Sequence, residues 1–312
     1  MRRTCLDMVY ALAKEDERVV FIGSDLGPGV LEEMREEMPD RFFMEGVSEA
    51  NIIGMAAGLA LEGFIPYVNT IATFLTRRCF EQISMNLCLH DLPVRLIANG
   101  GGLVYAPLGP THIAIDDVAL MRSQPNMTVV APSDAEEMKS FMRAGKDWPH
   151  PIYIRLGKGG DPVIYPEGAA FTVGKGRLYQ EPGEVLIAAT GVMTGRALAA
   201  AEMLAGQGVE AGVVHFPTLK PLDTDLLEGL ARRVRLLVTL DEHLVSGGLG
   251  SAVLECINEA GLERAPRIHR IGIPDQFTKE YGSQDSMMES FGLQPEKIAA
   301  AVVGLTKTTL AA

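Results

Sequence analysis

Positive charge is in the minority in this sequence. Its 312 residues carry 28 Lys and Arg against 40 Asp and Glu, a formal net charge of −12 at pH 7. A surface of that sign repels phosphate backbones and anionic lipid headgroups, so no nucleic acid and no membrane is expected as a partner, and any phosphate must be held locally. Cysteine is also scarce. Cys5, Cys79, Cys88 and Cys256 stand apart with no C-x-x-C pair, which fits reduced thiols rather than a disulfide or zinc framework. The six histidines form no H-x-x-x-H or H-E-x-x-H pattern. No apolar run is long enough to span a bilayer, and the apolar stretch after Met1-Arg2-Arg3 is broken by Asp7, Lys14 and Glu15 before a leader segment forms. A cytoplasmic location is expected. Complete nucleotide loops are missing as well: Gly247-Gly248-Leu249-Gly250 lacks the third glycine of a dinucleotide fingerprint, and Leu156–Asp161 lacks the ending of a P-loop.

What is present is a globular composition, 47% hydrophobic and 22% charged, in a chain long enough for two domains. Short runs rich in Val, Ile and Phe alternate with segments of helical period, the signature of an α/β protein with mostly parallel strands. Strands are expected at Val19–Gly23, Pro66–Thr70, Val94–Ala98, Met127–Ala131 and Ile152–Arg155, then at Val185–Ala189, Gly212–Phe216, Leu236–Leu240 and Arg267–Gly272. Between them, residues 156–176 turn to Gly, Pro and charge, which reads as an interdomain crossing. The expected organisation is two three-layer α/β/α domains, 1–165 and 181–312, joined by a linker at 166–180. At Pro132-Ser133-Asp134 either Ser133 or Asp134 is placed to cap the following helix.

The most informative segment is Phe43-Met44-Glu45-Gly46-Val47-Ser48-Glu49-Ala50-Asn51, running into a helix of small residues, Gly54, Ala56, Ala57, Gly58 and Ala60. Ser48 stands at the N-cap position and Glu49 in the first turn. A helix so poor in bulk permits close approach by another element or a ligand. The stretch from Glu45 to Ala60 resembles the catalytic glutamate segment of the transketolase superfamily. Further motifs match in order: Ala72-Thr73-Phe74-Leu75-Thr76-Arg77, Gly109-Pro110-Thr111-His112, Val129–Asp134, Tyr153-Ile154-Arg155, Asp241-Glu242-His243 through Gly250, and Tyr281-Gly282-Ser283.

The resemblance implies a pyrimidine-binding domain followed by a transketolase C-terminal domain, with thiamine diphosphate and Mg2+ as cofactors. It implies that Glu49 bonds the aminopyrimidine ring and activates the cofactor, that Phe74 stacks on that ring, and that Arg77 orients the pocket. Asp25 would lie near the cofactor at a subunit interface. His112 would contact the donor and assist proton transfer, and Arg155 would grip a sugar phosphate. Many members carry an aspartate at the position of Leu108, so the donor contact made there is absent in this chain and donor preference is open. The family's Gly-Asp-Gly diphosphate motif is not found in the sequence. The expectation is therefore a split enzyme: a separate diphosphate-binding N-terminal subunit holds the diphosphate and metal, in a heterotetramer acting on sugars or sugar phosphates by two-carbon ketol transfer. Rival expectations are the beta subunit of a 2-oxoacid dehydrogenase decarboxylase, a deoxyxylulose-phosphate-synthase-like enzyme, and a degenerate scaffold subunit.

Overall fold

A computed structural model describes residues 1–24 and 31–309. In chain order the strands are β1 (Val19–Gly23), β2 (Phe42–Met44), β3 (Ile65–Ile71), β4 (Arg95–Asn99), β5 (Thr128–Val130), β6 (Ile152–Leu156), β7 (Arg177–Gln180), β8 (Val185–Ala189), β9 (Ala211–His215), β10 (Thr218–Lys220), β11 (Leu236–Leu244) and β12 (Arg267–Ile273). They form a seven-stranded sheet of order β10-β5-β6-β4-β3-β1-β2 and a five-stranded sheet of order β12-β11-β8-β9-β7. All pairings are parallel except β10 with β5 and β7 with β9, the outermost pair of each sheet. Helices cover both faces of the sheets, so the central strands are buried along their whole length, as a parallel sheet requires.

The nine expected strands are all present within a residue or two, except that β11 runs on to Leu244. Three others carry no clear sequence signal. β2 and β10 are three residues long, and β7 lies inside the segment expected as linker yet forms the edge of the second sheet. β10 follows β9 in the second half of the chain but pairs with β5 of the first sheet, so the halves are stitched together by strand exchange.

Packing continues that union. One apolar cluster runs from Ile52, Val68 and Leu96 of the first half through Met121 and Phe216 to Leu227 and Val253 of the second. Across the same boundary His215 and Glu137 face each other at 2.9 Å, both fully buried, with His215 Nδ1 against Thr194 Oγ1 at 2.7 Å. The helix Ala135–Gly145 starts where expected, and Asp134 is the cap: its carboxylate accepts from the Glu136 and Glu137 N–H groups. Its other oxygen accepts from Ile164 and Tyr165 N–H, tying down the start of the interdomain segment. The four cysteines are buried and unpaired. Among the described residues, no helix is long and apolar enough to cross a membrane.

Candidate active site

The helix Glu49–Leu61 begins at the carboxyl end of the seven-stranded sheet, just after β2, where open α/β sheets hold ligands. Ser48 occupies the N-cap position without capping: its hydroxyl donates to Glu45 O at 3.0 Å and fixes the turn before the helix. Glu49 follows, only 3% exposed. A carboxylate that deep needs a partner. Arg78 supplies one, its Nη1 donating to Glu49 Oε2 at 2.8 Å.

The sequence motif ends on Arg77 and gives no sign of Arg78 beside it. The backbone explains why two adjacent arginines do different work. After β3 the helical segment opens into π turns at Phe74–Arg78 and again at Ile83–Cys88. Such widened turns re-aim side chains and are frequent at functional sites. Here Arg78 reaches back over the Phe74 ring, 4.5 Å from its centroid, to reach Glu49. Arg77 points the other way. Its Nε and Nη2 form a two-pronged pair with Asp116 at 2.9 and 2.8 Å, and Nη2 also donates to Ile113 O. Arg77 thus makes none of these contacts with Glu49 or Phe74 and braces the segment that follows His112.

His112 arrives at the same place from the loop between β4 and β5. Its ring meets Phe74 edge-on, with centroids 5.1 Å apart, and its Nδ1 lies 2.8 Å from Thr111 Oγ1. Phe74 therefore sits between a guanidinium and an imidazole, and Glu49, Arg78, Phe74 and His112 form one connected row. Beside it the hydroxyl of Thr73 is buried with no hydrogen-bond partner. Leu108 lies on the same loop, 48% exposed. A buried carboxylate, an aromatic ring and a spare hydroxyl side by side suit a flat heterocycle carrying polar ring atoms.

Two expected site residues remain. Asp25 lies outside the described residues. Arg155 is described, and it lies among carboxylates. Its side chain is 7% exposed: Nε and Nη2 bond Asp117 at 2.9 and 3.0 Å, Nη2 also donates to Glu242 O and Ala114 O, and Nη1 lies 3.6 Å from Asp241, too far for a hydrogen bond. Burial works against its charge, but Asp117, Asp241 and Glu242 outweigh that and hold the guanidinium above its ordinary range. Asp117 takes a further bond from the Tyr153 hydroxyl. The cluster joins the two halves of the chain, and no sequence motif pairs Asp117 with Arg155. Among the described residues, no group of three or more His, Cys, Asp or Glu side chains is arranged to hold a metal ion.

Comparison with known proteins gives the family. The transketolase pyrimidine-binding domain matches residues 1–160, and the transketolase C-terminal domain matches residues 174–298. The chain belongs to the transketolase family. One relative in this family is a 6-deoxy-6-sulfo-D-fructose transketolase subunit from Clostridium sp. (strain MSTE9), 36% identical, with 98% of this chain and 94% of that protein covered. Another is the 1-deoxy-D-xylulose-5-phosphate synthase of Syntrophotalea carbinolica, 38% identical over 94% of this chain but only 46% of its own length. Among solved structures, a split-gene transketolase described as an inactive beta4 tetramer superposes with a TM-score of 0.90 at 35% identity, covering 99% of this chain and 98% of the other. The transketolase of Campylobacter jejuni shares the fold, with a TM-score of 0.77 at 18% identity over 46% of its length. This chain thus carries the pyrimidine-binding and C-terminal domains of the family and spans about half of the Campylobacter chain.

Proposed function

We propose that this chain is the pyrimidine-binding subunit of a split transketolase, active with a diphosphate-binding subunit and transferring a two-carbon ketol unit from a ketose donor to an aldose acceptor. The observation that carries the proposal is the row formed by buried Glu49, Phe74 and His112 at the mouth of the first sheet. Support for the split comes from the two relatives that it matches over nearly their whole length, one a transketolase subunit and the other a split-gene transketolase.

Thiamine diphosphate, when bound, supplies the carbon nucleophile and the electron sink for breaking and remaking a carbon–carbon bond beside a carbonyl. In this reading the partner subunit holds its diphosphate through magnesium. This chain holds the other end. Glu49 would hold a ring nitrogen of the aminopyrimidine by a hydrogen bond and exchange a proton there, and Phe74 would support the face of the ring. His112, held against Phe74, faces the donor and moves its hydroxyl proton. Arg77 keeps the His112 segment in place through Asp116. Leu108 offers no hydrogen bond to the donor, which favours a donor unlike those read by an aspartate there, and the sulfonated ketose of the Clostridium relative belongs among those to test.

Arg78 has a consequence for cofactor binding. Its guanidinium lies on the carboxylate and over the ring that the aminopyrimidine would use. It must move aside when the cofactor arrives. Arg78→Ala is therefore expected to tighten cofactor binding in the assembled enzyme by up to roughly fivefold, the equivalent of ~1 kcal/mol for a half-exposed ion pair. Titration calorimetry on the two-subunit complex reads this directly; weaker binding by the variant would make Arg78 a cofactor contact instead.

The reaction class is tested by giving the two-subunit mixture ketose phosphates, 6-deoxy-6-sulfofructose and pyruvate as alternative donors with an aldose phosphate acceptor. Ketol transfer from a ketose without carbon dioxide release is the expected result. Condensation only with pyruvate, releasing carbon dioxide, would replace the transketolase reading with a deoxyxylulose-phosphate-synthase-like one.

A further inference from the structure

The loop that presents Leu108 and His112 is closed at its base by backbone bonds exchanged between Gly102 and Ala114, at 2.8 and 3.0 Å. The second half of the chain grips that base on both legs. Glu242, near the end of β11, accepts the Leu103 N–H on Oε1 at 2.7 Å, and Leu244 N–H donates to Ile115 O at 2.8 Å. Gln284 donates its side-chain amide to the same Glu242 oxygen at 2.9 Å, from the helix Gln284–Ser290. Arg155 joins the two sides by donating to both Glu242 O and Ala114 O.

The fit leaves no slack. Gly102 has φ +63, and a Cβ there would stand 2.5 Å from the Glu242 carboxyl carbon, so both backbone conformation and space require glycine. At the far end of the loop the Tyr281 ring lies so near Gly109 that a Cβ would come within 2.5 Å of it. Glu242 is 3% exposed, and its carboxyl is pushed up to about 7 by burial, against the opposing pull of Arg155, Gln284, Leu103 N–H and Arg196. Asp241 precedes it on β11, and Arg155, which pairs with Asp117, donates to the Glu242 backbone oxygen. A carboxyl kept in so unfavourable a setting while accepting a directed bond from the loop base and another from Gln284 ties that base to the C-terminal domain.

We infer that Glu242 is a positioning residue of the C-terminal domain: it seats the Gly102–Ala114 loop so that His112 and Leu108 meet the donor. This gives the C-terminal domain a part in the site, and its kinetic arm rests on the transketolase reading given above.

The test compares Glu242→Asp and Glu242→Gln in the full chain. Aspartate keeps the charge but is one methylene short of Leu103. Glutamine keeps both the reach and an acceptor oxygen. Hydrogen exchange of peptides covering residues 100–114 needs neither cofactor nor partner. Glu242→Asp is expected to speed exchange there about tenfold, the size of a lost hydrogen bond to a charged group, while Glu242→Gln stays within about threefold of the parent. In the two-subunit enzyme Glu242→Asp should raise donor KM about tenfold with kcat changed much less, and Glu242→Gln should restore KM. Unchanged loop exchange in Glu242→Asp overturns the inference, as does equal speeding in both variants. If the parent mixture shows no ketol transfer, the functional reading fails while the exchange comparison still decides whether Glu242 seats the loop.

Discussion

In a reconstituted two-subunit enzyme, Glu49→Ala is expected to lower kcat roughly 100- to 10,000-fold, the range over which a positioned acid or base accelerates proton transfer. Glu49→Gln should lose nearly as much, since glutamine fills the space and can still bond a ring nitrogen but cannot give up and regain a proton. Neither variant removes apolar packing. Glu49 begins its helix, and its recorded side-chain partner is Arg78, itself half exposed. Far-ultraviolet circular dichroism and assembly with the partner subunit should therefore be retained. Activity within twofold of the parent for Glu49→Gln would remove Glu49 from the chemistry and leave the scaffold reading in its place.

The second large effect is expected at Arg155, on stability. Arg155→Ala would leave Asp117 buried, its main counter-charge gone, together with an Asp241 oxygen that already has no hydrogen-bond partner. Breaking a buried ion pair by removing one member costs about 3–5 kcal/mol. Urea denaturation of the full chain should show a loss of that order, and because the β10–β5 pairing and the shared apolar core still join the halves, the transition should remain shared by them. A phosphate-gripping arginine predicts the reverse pattern. Its removal would leave stability within about 0.5 kcal/mol and raise KM for phosphorylated donors.

The contrast between Glu49 and Arg155 shows how far this sequence can be read. Glu49, Phe74 and His112 each sit in a local run whose residues are consecutive in the chain, so their pattern survives without coordinates. Arg155 also sits in a recognisable run, but what it touches is set by Asp117, Asp241 and Glu242, residues far from it in sequence that only the packed sheets bring together. Arg78 was hidden for a third reason. Helical spacing turns neighbours Arg77 and Arg78 about 100° apart but does not say which of them meets Glu49, and the π turn that decides it has no signature in the sequence. The fold follows the same division. Buried parallel strands such as β4 and β8 announce themselves as apolar runs, whereas β10 is three residues whose pairing with β5 is decided wholly by the other half of the chain.

The most direct test of the account is calorimetric titration of thiamine diphosphate with magnesium into this chain alone, and into its mixture with the diphosphate-binding subunit. The account predicts saturable binding in the mixture and none to the chain by itself, with ketol transfer appearing under the same condition. Tight binding to the chain alone would contradict it, since the diphosphate and metal would then be held by residues of this chain and the division of the cofactor between two subunits would have to be given up.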